Sequence, residues 1–436
     1  MSENKRASFG GKLSVILVSA GSAIGLGAIW RFPYIAGKHG GAAFLVVFLL
    51  SVLAVGIPAM LAEFAVGRKT RKNAVGAFRS LSKYWSWLGY SGVICAMLIS
   101  GYYYIIAGWS LEYLVNSADG SMFASSLTFK EQFEAFQGSY RPLFYCIAFI
   151  LLTHFIVSRG VEKGIEKASR IMMPALFVIL VLMAVRVAFM PNAVEGYRFF
   201  LSCDFAEAFK PETIMMAMGQ AFFSLSVGMG CMVTYASYFK NNNNLLSTSF
   251  NVSILTILVS LLAGLVIFPA VFSAGLQPTE GPAIVFVTLP EIFSGMPLAA
   301  VWSAIFFVLV VLASLTSTIS FHEVITAYLS EEFKLSRKVS AAITSALSIL
   351  LCTMTFFSLF GVDFFTLFDY LSANIIMPLG ALLTCILVIW FMKKNFMKEQ
   401  LTNNGSVNKY IAPVVVFMLK YVTPLLIFYI FIKNFI

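Results

Sequence analysis

The sequence predicts an all-α polytopic membrane protein, and three observations carry that prediction. Hydrophobic residues make up 59% of the 436-residue chain and charged residues 11%, whereas a water-soluble domain carries about 25% charged residues. The apolar residues fall in long unbroken runs, with a mean hydropathy of +0.87. Such runs suit spanning helices and not the short alternating strands of a β-barrel. Basic residues gather in every second connection between runs. A soluble domain and a disordered chain are excluded, because too few polar groups remain to cover a surface. The net charge of +10 is divided among short loops, which argues against a nucleic-acid partner.

A hydrocarbon core of ~30 Å needs about 20 apolar residues per helix. Eleven spans are expected, at 12–36, 41–66, 87–116, 142–158, 168–190, 213–238, 246–275, 297–329, 338–360, 367–392 and 410–432. They divide into a five-span repeat over 1–195, a second over 196–400 and an additional span over 401–436. The start resembles a cleavable signal, with Lys5, Arg6 and Lys12 ahead of small residues. The apolar run continues past those residues to Phe32, so a span is expected instead. Cys95, Cys146, Cys231, Cys352 and Cys385 lie in apolar runs and Cys203 in a loop. No CxxC or Cys/His cluster occurs, and neither a metal centre nor a disulfide is expected.

Charge sets the orientation. The N-terminus and the even-numbered loops hold 21 of the 30 basic residues. The positive-inside rule therefore expects an inner membrane with a cytoplasmic N-terminus and an external C-terminus. Two loops on the opposite side are long. One, 117–141, is polar; the other, 276–296, mixes Pro, Gly and apolar residues as a capping hairpin would.

Two spans are interrupted by glycine in matching places. The first reads Ser19-Ala-Gly-Ser-Ala-Ile-Gly-Leu-Gly27 and the sixth Ser224-Leu-Ser-Val-Gly-Met-Gly230. Each opens one five-span repeat. Irregular backbone at membrane depth survives where it lines a cavity or is buried in protein. Paired breaks in two repeats mark a transporter's binding site. Unwinding frees carbonyls for a cation or ammonium and N–H groups for an anion, and a zwitterionic amino acid needs both. The competing explanation, close helix packing through small residues, accounts for either motif alone but not for their correspondence. A third element, Ala313-Ser-Leu-Thr-Ser-Thr-Ile-Ser320 in the eighth span, offers the neighbouring hydroxyls of Thr316 and Ser317. They suit a hard cation such as Na⁺, or ordinary back-bonding to the preceding turn.

These motifs resemble the neurotransmitter:sodium symporter family. The resemblance rests on Gly21-Ser-Ala-Ile-Gly-Leu-Gly-Ala-Ile-Trp-Arg-Phe-Pro33, Ala62-Glu-Phe-Ala-Val-Gly-Arg68, Gly219-Gln-Ala-Phe-Phe-Ser-Leu-Ser226, Thr234-Tyr-Ala-Ser-Tyr238 and Leu335-Ser-Arg-Lys338. It runs in order through nearly the whole chain. It implies a LeuT-like 5+5 inverted repeat with an eleventh span and with spans 1 and 6 unwound at mid-membrane. It also implies a central site between spans 1, 3, 6 and 8. There the substrate carboxylate would meet the N–H groups of Leu26 and Gly27 and the Tyr103 hydroxyl. The amine would meet carbonyls near Ala23 and Phe223, with Ser22, Ser224, Ser226 and Ser317 beside them. Monoamine carriers of the family place an acid where Gly25 stands, so the resemblance implies an α-amino acid. Ile99, Tyr103, Phe223, Met229 and Phe321 would surround its side chain. That apolar wall favours a neutral hydrophobic or aromatic substrate and leaves leucine-like and tyrosine- or tryptophan-like side chains equally open.

The resemblance also implies Na⁺ sites. One is intact: carbonyls of Gly21, Ile24 and Ala313 with hydroxyls of Thr316 and Ser317. The other is altered. Ala28 and Thr256 stand where the family has asparagine, leaving Ala23, Ser224 and Thr256 as ligands. Gln220, Ser224 and Ser260 match part of the chloride site of animal relatives, but Phe48 replaces a tyrosine, so chloride dependence is not expected. Two gates carry over. Arg31 would pair with Asp369 or Asp363, with Tyr103 and Phe223 as a lid. Arg6 would pair with Glu331 near Tyr238 and Phe9. Glu63 is expected to partner unwound backbone of span 6, and Glu323 beside His322 is a candidate proton site. Membrane lipid is expected as surroundings and no obligatory protein partner is implied.

The expected function is Na⁺-coupled uptake of a neutral amino acid by alternating access. The alternatives are a proton-coupled carrier of the same fold, a channel or a non-transporting sensor. An enzyme is disfavoured, since no nucleophile–base constellation is present.

Overall fold

The computed structural model describes residues 7–202, 204–275 and 284–433. Among these, nine helices are long and apolar enough to cross a membrane. They are Ala42–Thr70 (span 2), Lys83–Ala118 (span 3), Arg141–Ser158 (span 4), Val161–Ala188 (span 5), Leu245–Ser273 (span 7), Ala299–Glu332 (span 8), Arg337–Phe356 (span 9), Phe364–Phe391 (span 10) and Ala412–Ile432 (span 11). Span 1 is a bent pair, Lys12–Ala23 and Gly27–Lys38, which meet at 56°. Span 6 is two shorter helices, Pro211–Ser224 and Cys231–Ala236. Every expected span overlaps one of these, and both glycine-interrupted runs are broken helices.

Burial separates a centre from a periphery. In span 3, 78% of the most apolar stretch is buried inside the protein, against 28% in span 11. The buried face of span 3 carries Ile99, Tyr103 and Ile106, one helical turn apart or nearly so. Span 11 instead exposes Leu425 and Phe428, as a lipid-facing helix does. Proline opens spans 4 and 6 at Pro142 and Pro211, where its missing N–H costs no helical bond, while Pro58 and Pro378 follow widened helical turns inside spans 2 and 10.

At the end opposite the N-terminus, the described part of the expected hairpin begins at Ile284; residues 276–283 and Cys203 lie outside the described residues. Phe286 inserts among Trp109, Tyr113, Phe133 and Phe307 with ring centroids 5.2–6.1 Å apart. This aromatic cluster lays the connection over the end of span 3.

Candidate functional site

The two breaks face each other. Span 1 stops at Ala23, where Ile24 leaves the helical conformation (φ −93°, ψ 87°). Span 6 stops at Ser224 and resumes at Cys231, with positive φ at Ser226 (52°), Gly228 (87°) and Gly230 (77°). The Ser226 hydroxyl donates to the Ser22 carbonyl at 2.8 Å, tying one break to the other. On the far side of span 6, the Gly228 N–H donates to Glu63 Oε1 at 2.6 Å. That N–H has lost its helical acceptor, and a buried orphan donor is costly. Gly228 is required twice over, by its left-handed backbone and by the Met377 carbonyl that would stand 2.1 Å from any Cβ.

Span 3 meets span 1 at the break. The Leu26 N–H donates to the Tyr103 hydroxyl at 2.9 Å, and Phe321 of span 8 packs edge-on against the Tyr103 ring at 5.2 Å. Around Gly25 the packing is closed. A Cβ there would lie 2.1 Å from Ser317 Oγ and 2.6 Å from the Tyr103 hydroxyl, so no side chain fits. The Phe223 ring lies directly against Gly27. Ile99 and Met229 are buried as expected, Ile99 one turn from Tyr103.

Span 8 supplies oxygens. The Thr316 hydroxyl lies 3.1 Å from the Ile24 carbonyl and 2.9 Å from the Ala313 carbonyl. Gly21 packs against the Thr316 side chain, and the Ser317 hydroxyl reaches the Ser22 carbonyl at 3.5 Å. Neutral carbonyl and hydroxyl oxygens with no charged side chain among them form a donor set suited to a hard monovalent cation. Thr316, Ile24 and Ala313 are therefore brought together, with Gly21 against the Thr316 side chain and the Ser317 hydroxyl turned toward Ser22.

The altered set is arranged differently. The Thr256 hydroxyl turns back onto its own helix, donating to the Val252 carbonyl at 2.9 Å. Gln220 Nε2 donates to the Ser224 hydroxyl at 2.9 Å and to the Gly27 carbonyl at 2.8 Å. Ala28 is fully buried and adds no oxygen. Thr256 and Ser224 are thus engaged by groups of the chain itself. Ser260 Oγ has no hydrogen-bond partner within the chain, and Phe48 packs on Phe32 at 5.1 Å.

At the expected external gate the two charges do not meet. Arg31 and Asp369 line one cavity of about 190 Å³ together with Trp30, Tyr103, Phe223 and Phe365, but they form no ion pair. Arg31 donates instead to Gln220 Oε1 at 3.4 Å and lies over the Phe223 ring at 5.0 Å. A long guanidinium takes the acceptor within reach, and Gln220 is nearer. Asp363, the alternative acid, caps the next helix by accepting from the Thr366 N–H and hydroxyl at 3.1 and 2.6 Å. At the basic end, Arg6 lies outside the described residues. Its expected partner Glu331 accepts from the Asn73 N–H and Nδ2 at 2.8 and 3.1 Å, a partner that spacing gave no means of finding. Phe9 is buried, its N–H bonded to the Tyr238 carbonyl at 3.1 Å and its ring edge-on to Tyr235 and Tyr238. Tyr238 donates to Glu323 Oε1 at 2.6 Å, and Arg337 donates to the same carboxylate. His322 faces elsewhere, bonding Thr326 and Ser345 at 3.0 Å each. Glu323 and His322 are thus neighbours in sequence without sharing a hydrogen bond, which removes the basis for treating them as a proton-sharing pair.

The comparisons with known proteins follow this geometry. The profile of the sodium:neurotransmitter symporter family matches residues 6–135 and 125–436. The chain belongs to that family. It is 36% identical to the sodium-dependent transporter YhdH of Bacillus subtilis, with 99% of this chain and 98% of the relative covered. It is 26% identical to the sodium-dependent dopamine transporter of Bos taurus, over 88% of this chain and 63% of the relative. Among solved structures, MhsT in complex with L-phenylalanine superposes with a TM-score of 0.90 at 35% identity, covering 98% of this chain and 99% of that one. The symporter therefore has the LeuT-like fold, and it is a sodium-dependent membrane transporter and not an enzyme.

Proposed function

We propose that this symporter couples one Na⁺ to the uptake of one neutral amino acid with a hydrophobic or aromatic side chain. The observation that carries the reading is the convergence of Thr316 on the Ile24 and Ala313 carbonyls, next to the closed contact of Gly25 with Ser317 and Tyr103. The first supplies oxygens for an ion. The second leaves no space for a side-chain carboxylate, so the substrate brings its own. Its carboxylate lies at the Leu26 and Gly27 N–H groups and the Tyr103 hydroxyl, its amine at the carbonyls near Ala23 and Phe223. Ser22, Ser226 and Ser317 border the head group; Ile99, Met229, Phe223 and Phe321 border the side chain. MhsT, with L-phenylalanine bound, supports an apolar substrate. Ala28 adds no oxygen to the altered Ala23, Ser224 and Thr256 set, which supports one Na⁺ per cycle.

The N-terminus is cytoplasmic in an inner membrane, and the bundle of spans 1, 2, 6 and 7 rocks against the other spans about the broken spans 1 and 6. The 190 Å³ cavity beside Arg31 and Asp369 is the external approach, while Phe9, Tyr235 and Tyr238 close the cytoplasmic side. A zwitterion adds no net charge, so each Na⁺ carries one charge inward. At ~100 mV that supplies about 2.3 kcal/mol, roughly fifty-fold accumulation, before the Na⁺ gradient contributes.

The test is a competition screen of the common amino acids in proteoliposomes, with Na⁺ or with choline. Neutral hydrophobic or aromatic amino acids compete and uptake requires Na⁺, with one charge per substrate. Uptake that survives in choline overturns the sodium coupling, and two charges per substrate overturn the single-ion reading.

A further inference from the structure

At the basic end of the bundle, away from the broken spans, a cavity of about 590 Å³ opens between the end of span 2, the loop after span 6 and the connection from span 10 to span 11. Arg68, Lys69 and Arg71 line it together with side chains of Asn242, Gln400 and Asn404. Arg68 is 5% exposed. Its Nε and Nη2 donate to Gln400 Oε1 at 3.2 and 2.9 Å, and Nη2 also to the Gln400 carbonyl at 2.6 Å. Its Nη1 donates to the Asn243 carbonyl at 2.6 Å and to Asn403 Oδ1 at 2.8 Å. Every acceptor is neutral. A buried guanidinium is ordinarily paired with an anion, and among the described residues no carboxylate answers it.

The surrounding charges deepen the imbalance. Among the described residues neither Lys69 nor Arg71 makes an ion pair. Glu399 is the one acid in the wall, and it is solvent-exposed. Three cations against one acid, around a walled space, leave a positive potential with no internal source of compensation.

We propose that this cavity binds a phosphate-bearing anion. Arg68 supplies the fixed potential, and Lys69 and Arg71 make the direct contacts. Lysine and arginine suit phosphate oxygens through charge-assisted hydrogen bonds, and the asparagine amides of the rim add neutral donors. Basic pockets between spans on a positively charged face receive anionic headgroups. The volume holds a phosphate with the glycerol portion of a lipid. Because Arg68 already joins span 2 to the 243 and 400–403 segments, a bound anion stabilises the junction of three elements.

The experiment uses the full chain in an uncharged detergent at constant Na⁺. One arm titrates inorganic phosphate against chloride at matched ionic strength. The other titrates dioctanoylphosphatidylglycerol against dioctanoylphosphatidylcholine. Thermal unfolding is the readout. At least one anionic probe raises the unfolding temperature above its control. A response to phosphatidylglycerol alone assigns a lipid headgroup, and a saturating response to phosphate assigns the free anion. Lys69→Ala with Arg71→Asn weakens the apparent affinity by roughly tenfold or more; Asn is chosen because Arg71 has left-handed backbone (φ 53°). Lys69→Arg retains binding, and Glu399→Gln tightens it. Anionic probes that act no differently from their controls, or a Lys69/Arg71 variant that responds like the parent chain, overturn the proposal.

Discussion

The Thr316 hydroxyl of span 8 lies 3.1 Å from the Ile24 carbonyl at the break of span 1. A continuous helix and a broken one thus share an oxygen cluster, and a cation held there is expected to fix how the two sit. Replacing Thr316→Ala together with Ser317→Ala removes both hydroxyls while leaving the carbonyls. The Na⁺ concentration that half-saturates substrate binding then rises roughly tenfold or more. Radioligand binding across a Na⁺ series checks it, and an unchanged midpoint counts against the assigned ion site.

Gly25→Ala places a methyl group 2.1 Å from Ser317 Oγ and 2.6 Å from the Tyr103 hydroxyl. Ser317 must rotate away from the Ser22 carbonyl and the Tyr103 hydroxyl must leave the Leu26 N–H to make room. Uptake is expected to fall below roughly a tenth of the parent rate, with the variant still inserted and folded. Initial-rate uptake normalised to folded protein measures this. Gly25→Asp loses uptake as well, by setting a buried carboxylate against that of the substrate.

Glu63 separates two roles by substitution. Its Oε1 accepts the Gly228 N–H, a bond an amide carbonyl can replace. Glu63→Gln is therefore mild. Glu63→Leu strands the N–H and costs about 1–3 kcal/mol. Denaturation of both variants in the same detergent gives the comparison; equal losses would show that the Gly228 bond is unimportant.

His39, between spans 1 and 2, makes the structure acid-sensitive. Its Nδ1 lies 3.2 Å from Thr213 Oγ1. Burial lowers its pKa, against the opposing pull of Glu212 and Glu207. The unfolded chain takes up the proton near the ordinary histidine value of about 6.5, while the folded chain resists until lower pH. Stability is thus present above that value and is lost as pH falls toward the folded pKa. Between about pH 7.5 and about pH 5.5 the parent chain loses more thermal stability than His39→Gln. Parallel slopes for the two would remove His39 from the account.

Much of the site is legible from local pattern. Gly25 and Gly27 in span 1 and Gly228 and Gly230 in span 6 announce their breaks because the same Gly-x-Gly pattern recurs at matching places of the two repeats. Thr316 and Ser317 sit on the one hydroxyl-rich turn of span 8. The partners of long side chains are not legible in this way. Arg31 takes Gln220 and not Asp369; Glu331 takes Asn73; Arg68 gathers Gln400 and Asn403 from more than 300 residues away.

By itself, the sequence determined the spans, their two breaks and the family to which the symporter belongs, because hydropathy and backbone permissiveness act over neighbouring residues. Tertiary structure alone decided that Gln220 aims its amide at Ser224 in the altered ion site, that Phe9 packs on Tyr235 and Tyr238, and that Arg68 is buried with no acid bonded to it among the described residues. Those outcomes depend on which polar atoms from distant spans come within hydrogen-bond reach once the membrane excludes water, and no local pattern encodes that distance.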